Sequence, residues 1–131
     1  MKRADIREYV FQLLFCNEFH NKDEMPEQYR LFLDDLKEAK EKDKEYISSR
    51  VTDIAGRIDD IDKKINDVSV GWTTDRMSKT DLTIIRLAYY EMHIDEDVPK
   101  KVAVDQAVEL AKKYGSDESP SFINGILAKL F

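Results

Sequence analysis

The chain has 131 residues, 42% hydrophobic and 37% charged, with a formal net charge of −6. Length and composition fit one folded soluble domain, or two small helical subdomains sharing a core, and do not suggest disorder. The acidic balance excludes coating nucleic acid by bulk attraction but leaves room for a local basic patch. No run approaches the ~18 apolar residues of a membrane span. Met1-Lys2-Arg3-Ala4-Asp5 lacks the apolar core of a signal peptide, and a lone Cys16 permits neither an internal disulfide nor a thiolate cage. A cytoplasmic protein is the expectation.

Residues 3 to about 19 predict a helix with two apolar stripes. Ile6, Val10, Leu13, Leu14 and Asn17 form one; Phe11, Phe15 and Phe19 form the other, with Arg3 and Arg7 along the same side. Two readings stand side by side: a helix buried on both sides, or an Arg-plus-aromatic face offered to RNA or a partner protein. Cys16, at the edge of the first stripe, reads as packing. A polar connector from His20 to Pro26 leads to a short helix carrying Tyr29, Phe32, Leu33 and Leu36 on one face. The alternating charges from Lys37 to Glu45 are a solvated connector or exposed helix turns.

From Tyr46 to Val68, Ile47, Val51, Ile54, Ile58, Ile61, Ile65 and Val68 alternate steps of four and three. This heptad seam predicts one long straight helix, packed in a bundle within the chain rather than in a coiled coil between chains. A break follows at Val70–Met77, with Trp72 read as a wedge between subdomains. Ser78 with Asp81 resembles a capping box. The helix it opens, through Leu82, Ile84, Ile85, Leu87, Ala88, Tyr89, Tyr90 and Met92, is apolar nearly all round and so central. Arg86 in its middle requires a partner, in the plainest case an acid on a neighbouring helix.

Asp95 to Pro99 ends that helix and leads into Val98–Phe131, which reads as helix, stop, loop and helix. Pro99 suits a first turn, Ala103, Ala107, Leu110, Ala111 and Tyr114 share a face, and Lys112 and Lys113 complement the dipole. Gly115 reads as the residue just past a helix end, and Ser119-Pro120 as the next N-cap and first turn. Phe122, Ile123, Ile126, Leu127 and Leu130 give the closing helix its apolar side. The pair Asn124-Gly125 reads as close helix packing. No strand pattern or internal repeat is present, so the class is all-α, with about six or seven helices.

No catalytic constellation can be assembled. His20 and His93 are too few and too widely spaced for a metal site, the four glycines are isolated, and no Gly-x-Ser-x-Gly elbow exists. The expectation is a binding protein, not an enzyme, without metal or cofactor.

Three blocks stand out: Arg7-Glu8 with Gln12, Leu14 and Phe15; Trp72, Arg76, Asp81 and the run Ile85–Met92; and Val98-Pro99 through Val102-Ala103-Val104, Glu109–Lys112 and Gly115 to Ser119 and Phe122–Leu127. Together they resemble the NusB family of bacterial transcription antitermination factors. The resemblance implies two small packed three-helix subdomains, approximately 1–70 and 71–131. It implies binding of single-stranded boxA leader RNA together with the ribosomal protein NusE. Through RNA polymerase and other Nus factors, that complex suppresses premature termination of rRNA transcription. Sharing the RNA between two proteins lets each make only a few phosphate contacts.

Residue by residue, the resemblance implies RNA contacts at Lys2, Arg3, Arg7, Lys101 and Phe122. It implies partner contacts at Phe15, Asp81 and Glu118, with Arg86 serving that surface or the core. The loop before Phe122 is expected to work beside the Arg3–Phe15 face. Asp5 among the N-terminal cations implies weak intrinsic RNA affinity. Glu118 stands where the family often has Asp, and Phe15 where Tyr is common. Two alternatives remain: the RNA-binding domain found at rRNA methyltransferase N-termini, which the lack of a nucleotide-binding Gly motif disfavours, and a helical homodimer joined through apolar faces.

Overall fold

The computed structural model describes residues 1–131 as seven α-helices, two short 3-10 turns and no strand. The chain parts into two compact units, Met1–Gly56 and Arg57–Phe131.

The first unit holds α1 (Arg3–Cys16), α2 (Met25–Asp34) and α3 (Glu41–Ala55). α1 buries Val10, Phe11, Leu13 and Leu14 and packs on α3, whose Ile47, Val51 and Ile54 are fully buried. Each such aliphatic side chain contributes roughly 1.5–3 kcal/mol of burial. α1 ends at Cys16 rather than near 19, because tight bonds from the amides of Asn17, Glu18 and Phe19 to the carbonyls three residues back wind up its end. The connector is a reciprocal cap at Asn21 and Glu24, with Asn21 N–H donating to Glu24 Oε1 at 2.7 Å, and Pro26 falls in the first turn of α2. An edge-to-face contact of Tyr9 with Phe32, at 6.2 Å, ties α2 to α1. The charged run is both of its readings: turn residues up to Lys40, then the opening of α3.

The stretch Tyr46–Val68 is not one helix. α3 stops at Ala55, Gly56 caps it, Arg57 leaves helical geometry at φ −113°, ψ 7°, and α4 (Ile58–Val68) begins. Both helices turn their seam residues inward, α3 burying Ile47, Val51 and Ile54 and α4 burying Ile61 and Ile65 with Ile58 half-buried; periodicity records which face is apolar, not whether the backbone is continuous.

The second unit holds α4, α5 (Lys79–His93), α6 (Lys100–Tyr114) and α7 (Ser119–Leu130). As its composition predicts, α5 is central, with ten of its fifteen residues buried. Ser78 Oγ accepts from the Asp81 amide at 3.1 Å to start it. Arg86, 7% exposed, meets Asp62 of α4 as a two-pronged fork, Nε to Oδ1 at 2.8 Å and a terminal nitrogen to Oδ2 at 2.7 Å. The expected acid on a neighbouring helix is therefore Asp62.

Short loops make α5 and α6, and then α6 and α7, antiparallel neighbours, so α5 and α7 run parallel. Their C-terminal ends meet where His93 Nε2 donates to the Leu130 carbonyl at 2.6 Å. Lys100 at the start of α6 donates to the Phe131 carbonyl at 2.9 Å.

The α6–α7 loop differs from expectation at two residues. Gly115 does not adopt left-handed geometry; at φ −92°, ψ −170° it is extended. It must be glycine because a Cβ there would lie 2.5 Å from Ser119 Cβ and Oγ and 2.9 Å from the Ala111 carbonyl. Ser119 is the first residue of α7 rather than its cap, and its buried hydroxyl accepts from the Ser116 amide at 3.0 Å. Asn124 and Gly125 do not serve helix packing: both are exposed, and nothing lies within 4 Å of where a Gly125 Cβ would be.

Candidate nucleic-acid and partner interface

In the first unit, Lys2 and Arg3 are exposed at the start of α1, and half-buried Arg7 lies one turn on, above Arg3 on the same face. α1 has no fully buried residue before Val10, and Ile6 to Tyr9 are half-buried. Further along, Phe11 is buried, Phe15 half-buried and Phe19 57% exposed. Their rings form a run, Phe11 to Phe15 stacked at 6.1 Å and Phe15 to Phe19 edge-on at 5.0 Å. The second stripe is thus both core and surface: it begins in the core and emerges at Phe19. Burial pushes the Cys16 thiol up, which keeps it protonated and fits a packing role.

In the second unit the parallel run of α5 and α7 decides which residues meet. The N-terminal ends of both helices lie at one end of the unit, which collects Asp81, Glu118 and Phe122. Asp81 sits in the first turn of α5, and its Oδ1 is buried with no hydrogen-bond partner. Such an acceptor carries an unmet desolvation cost until a donor reaches it. Glu118 is exposed at the cap of α7, where the helix dipole favours its charge, and its carbonyl accepts from the Phe122 amide one turn on. Lys112 and Lys113, which sequence reasoning assigned only to the dipole, are exposed at the same end, in the last turn of α6.

Lys101 does not join this group. It is exposed in the first turn of α6, beside the Lys100 that grips the far end of α7. The fifteen residues of α6 place it roughly 20 Å from the Phe122 end. Arg86 also stands apart: its guanidinium is spent on Asp62, so it positions α4 on α5 from within and presents no charge outward.

Trp72 is the residue sequence reasoning misplaced. It is not packed away as a structural residue would be; it is 52% exposed, its ring edge-to-face with Phe122 at 6.3 Å and the Arg76 guanidinium over it at 5.8 Å from its centre. The available signal was its setting, Gly71 before and Thr73-Thr74-Asp75-Arg76 after, with no apolar periodicity to draw the indole inward. No group of three or more His, Cys, Asp or Glu side chains converges to hold a metal.

Cations at one helix start, rings emerging from a core and an orphaned carboxylate oxygen are the materials of a helical binding module. Comparison with known proteins makes the class specific. The NusB family model matches residues 4–131, and the chain belongs to the NusB family. It is 48% identical over 129 residues to the transcription antitermination protein NusB of Agathobacter rectalis, covering 98% of each chain. Among solved structures it resembles NusB of T. maritima, with TM-score 0.87, 32% identity, and 99% of this chain and 90% of that one covered. It also shares the fold of NusB solved with NusE and double-stranded RNA, at TM-score 0.82 and 21% identity, covering 98% of this chain and 94% of that one.

Proposed function

We propose that this chain is a transcription antitermination factor that holds single-stranded boxA leader RNA jointly with the ribosomal protein NusE. Through RNA polymerase and other Nus factors in the cytoplasm, it promotes full-length transcription of rRNA operons. It acts by binding rather than by catalysis. The observation that carries the reading is the match, over almost the whole of both chains, to an antitermination protein at 48% identity.

Lys2, Arg3 and Arg7 are the phosphate contacts of the first unit, Phe122 meets the RNA at the Asp81–Glu118 end of the second, and Lys101 takes a separate phosphate. Phe15 of the first unit, and Asp81 and Glu118 of the second, are the contacts to NusE. Arg86 supports this surface indirectly through Asp62. With a net charge of −6, the protein depends on these local cations and on sharing the RNA.

A labelled boxA oligonucleotide should bind an equimolar mixture with NusE at least tenfold more tightly than either protein alone at modest salt, and a scrambled oligonucleotide should not show the gain. Equal affinity for the mixture and its components would sink the reading. A homodimer is the second reading, supported by exposed Phe19 and Leu31. It requires a sedimentation coefficient that rises with concentration.

A further inference from the structure

We infer that Trp72, together with Arg76 and Phe122, forms a preformed corner on which a nucleobase of single-stranded RNA stacks. This rests on the RNA-binding reading above and adds to Phe122 two residues, Trp72 and Arg76, to which that reading gives no role.

The first ground is where the indole sits. A tryptophan normally buries most of its large surface and dominates the core it joins. Here it is 52% exposed, although the same unit contains a well-packed core a few residues away, with Met77 buried and α5 following. The second ground is that the ring is held in place. Gly71, at φ 82°, makes a left-handed turn that no bulky residue would adopt readily, and Trp72 follows it directly. Asn66 on α4 then pins the loop from below, its Oδ1 accepting from the Thr74 amide at 2.8 Å and its Nδ2 donating to Thr74 Oγ1 at 3.3 Å. The Thr73 hydroxyl donates to the Asp75 carboxylate, and the Arg76 amide donates to the Thr73 carbonyl at 2.9 Å. A half-exposed ring on a loop bonded this way has already given up its conformational freedom, so a ligand that uses it loses little on binding.

The third ground is shape and charge. The rings of Trp72 and Phe122 meet at 72°, a corner rather than a closed stack, so a flat base can lie on one ring with its edge against the other. Stacking of this kind accepts any base and is the usual grip on single strands. The Arg76 guanidinium lies over the indole, 5.8 Å from its centre, and sets a permanent cation at the ring, within reach of a phosphate of the nucleotide that stacks there. Gly71, Thr73 and Thr74 around the ring suit a sugar–phosphate backbone. A protein partner closing over the indole would instead call for an apolar surround that excludes water, whereas the exposed loop residues flanking it are, Val70 aside, polar or glycine.

The chain has a single tryptophan, so 5-fluorotryptophan labelling gives one fluorine resonance that reports on Trp72 alone. With NusE already present, adding boxA oligonucleotide should shift that resonance in step with the anisotropy of the labelled RNA. Trp72→Ala should weaken RNA binding about tenfold, with Trp72→Phe within about threefold of the parent. Replacing the nucleotides one at a time by abasic sites should reveal one position that weakens the parent but costs Trp72→Ala nothing further. Thermal unfolding of the variants, coincident with the parent's, separates a lost contact from a lost fold.

RNA that binds with the resonance unmoved, or with Trp72→Ala at full affinity, would overturn the stacking corner and leave the RNA-binding reading standing. A resonance that moves on adding NusE alone, and no further with RNA, would assign the ring to the protein partner and overturn it as well. A weakened Trp72→Ala with no silent abasic position would make its role structural. Absence of RNA binding by the parent mixture would remove the underlying reading and this inference with it.

Discussion

α5 and α2 show two ways of being a helix in this chain. α5 buries ten of its fifteen residues, α2 one of its ten, Met25. α5 is apolar on nearly every side and needs neighbours all round it; its one interior cation is neutralised by Asp62. α2 holds its place through the capped 3-10 turn that precedes it, an aromatic edge contact and solvated charges such as Arg30 between Glu27 and Asp34. Those exposed pairs contribute little. The difference teaches where cohesion lies: opening should be local and easy at α2, and should require the whole second unit at α5.

The strongest way to break the comparison is Asp62→Ala, which takes the two-pronged carboxylate away from the buried Arg86. It should lower the unfolding free energy in urea by about 3–4 kcal/mol, and adding Arg86→Met should recover most of that loss. A single variant within about 0.5 kcal/mol of the parent would mean the pair does not hold α4 to α5. Next in size is Gly115→Ala, whose Cβ has no room beside Ser119 and Ala111; a loss of about 2 kcal/mol is expected, read from the same urea midpoint. Gly125→Ala should have the opposite sign, stabilising by about 0.5–1 kcal/mol, because the position is helical, exposed and open. A fall in melting temperature would show that a methyl group has no room at this position. The smallest effect is expected at Leu31→Ala in α2, under about 0.5 kcal/mol, since that side chain is already 47% exposed. A loss comparable to that of a core leucine would erase the contrast between the two helices.

The central character of α5 was legible because a helix without a polar face has few places to go, and Arg86 announced its need for an acid. What sequence could not supply was Asp62 as that acid, since the pairing depends on how α4 crosses α5. The break at Gly56-Arg57 was hidden by an isoleucine seam that keeps its phase through the interruption. Gly115 was recognised as necessary for the wrong reason: a helix-end glycine usually serves the left-handed turn, and only coordinates reveal that Ser119 fills the space of its side chain. The candidate surface was legible in its residue types but not in its grouping. Lys101 and Phe122 come from one stretch of sequence, yet α6 stands between them as a spacer, while Trp72, far off in sequence, meets Phe122. Spacing along a chain predicts neighbours only within one element.

The latch at the far end of α7 has a consequence for motion. A closing helix ordinarily frays, its last carbonyls bonded only to water. Here the Leu130 carbonyl is held by His93 and that of Phe131 by Lys100, from two different helices. With its base clamped, α7 behaves as a supported beam, and its amides should exchange with solvent at the pace of the whole second unit rather than unzipping from the end.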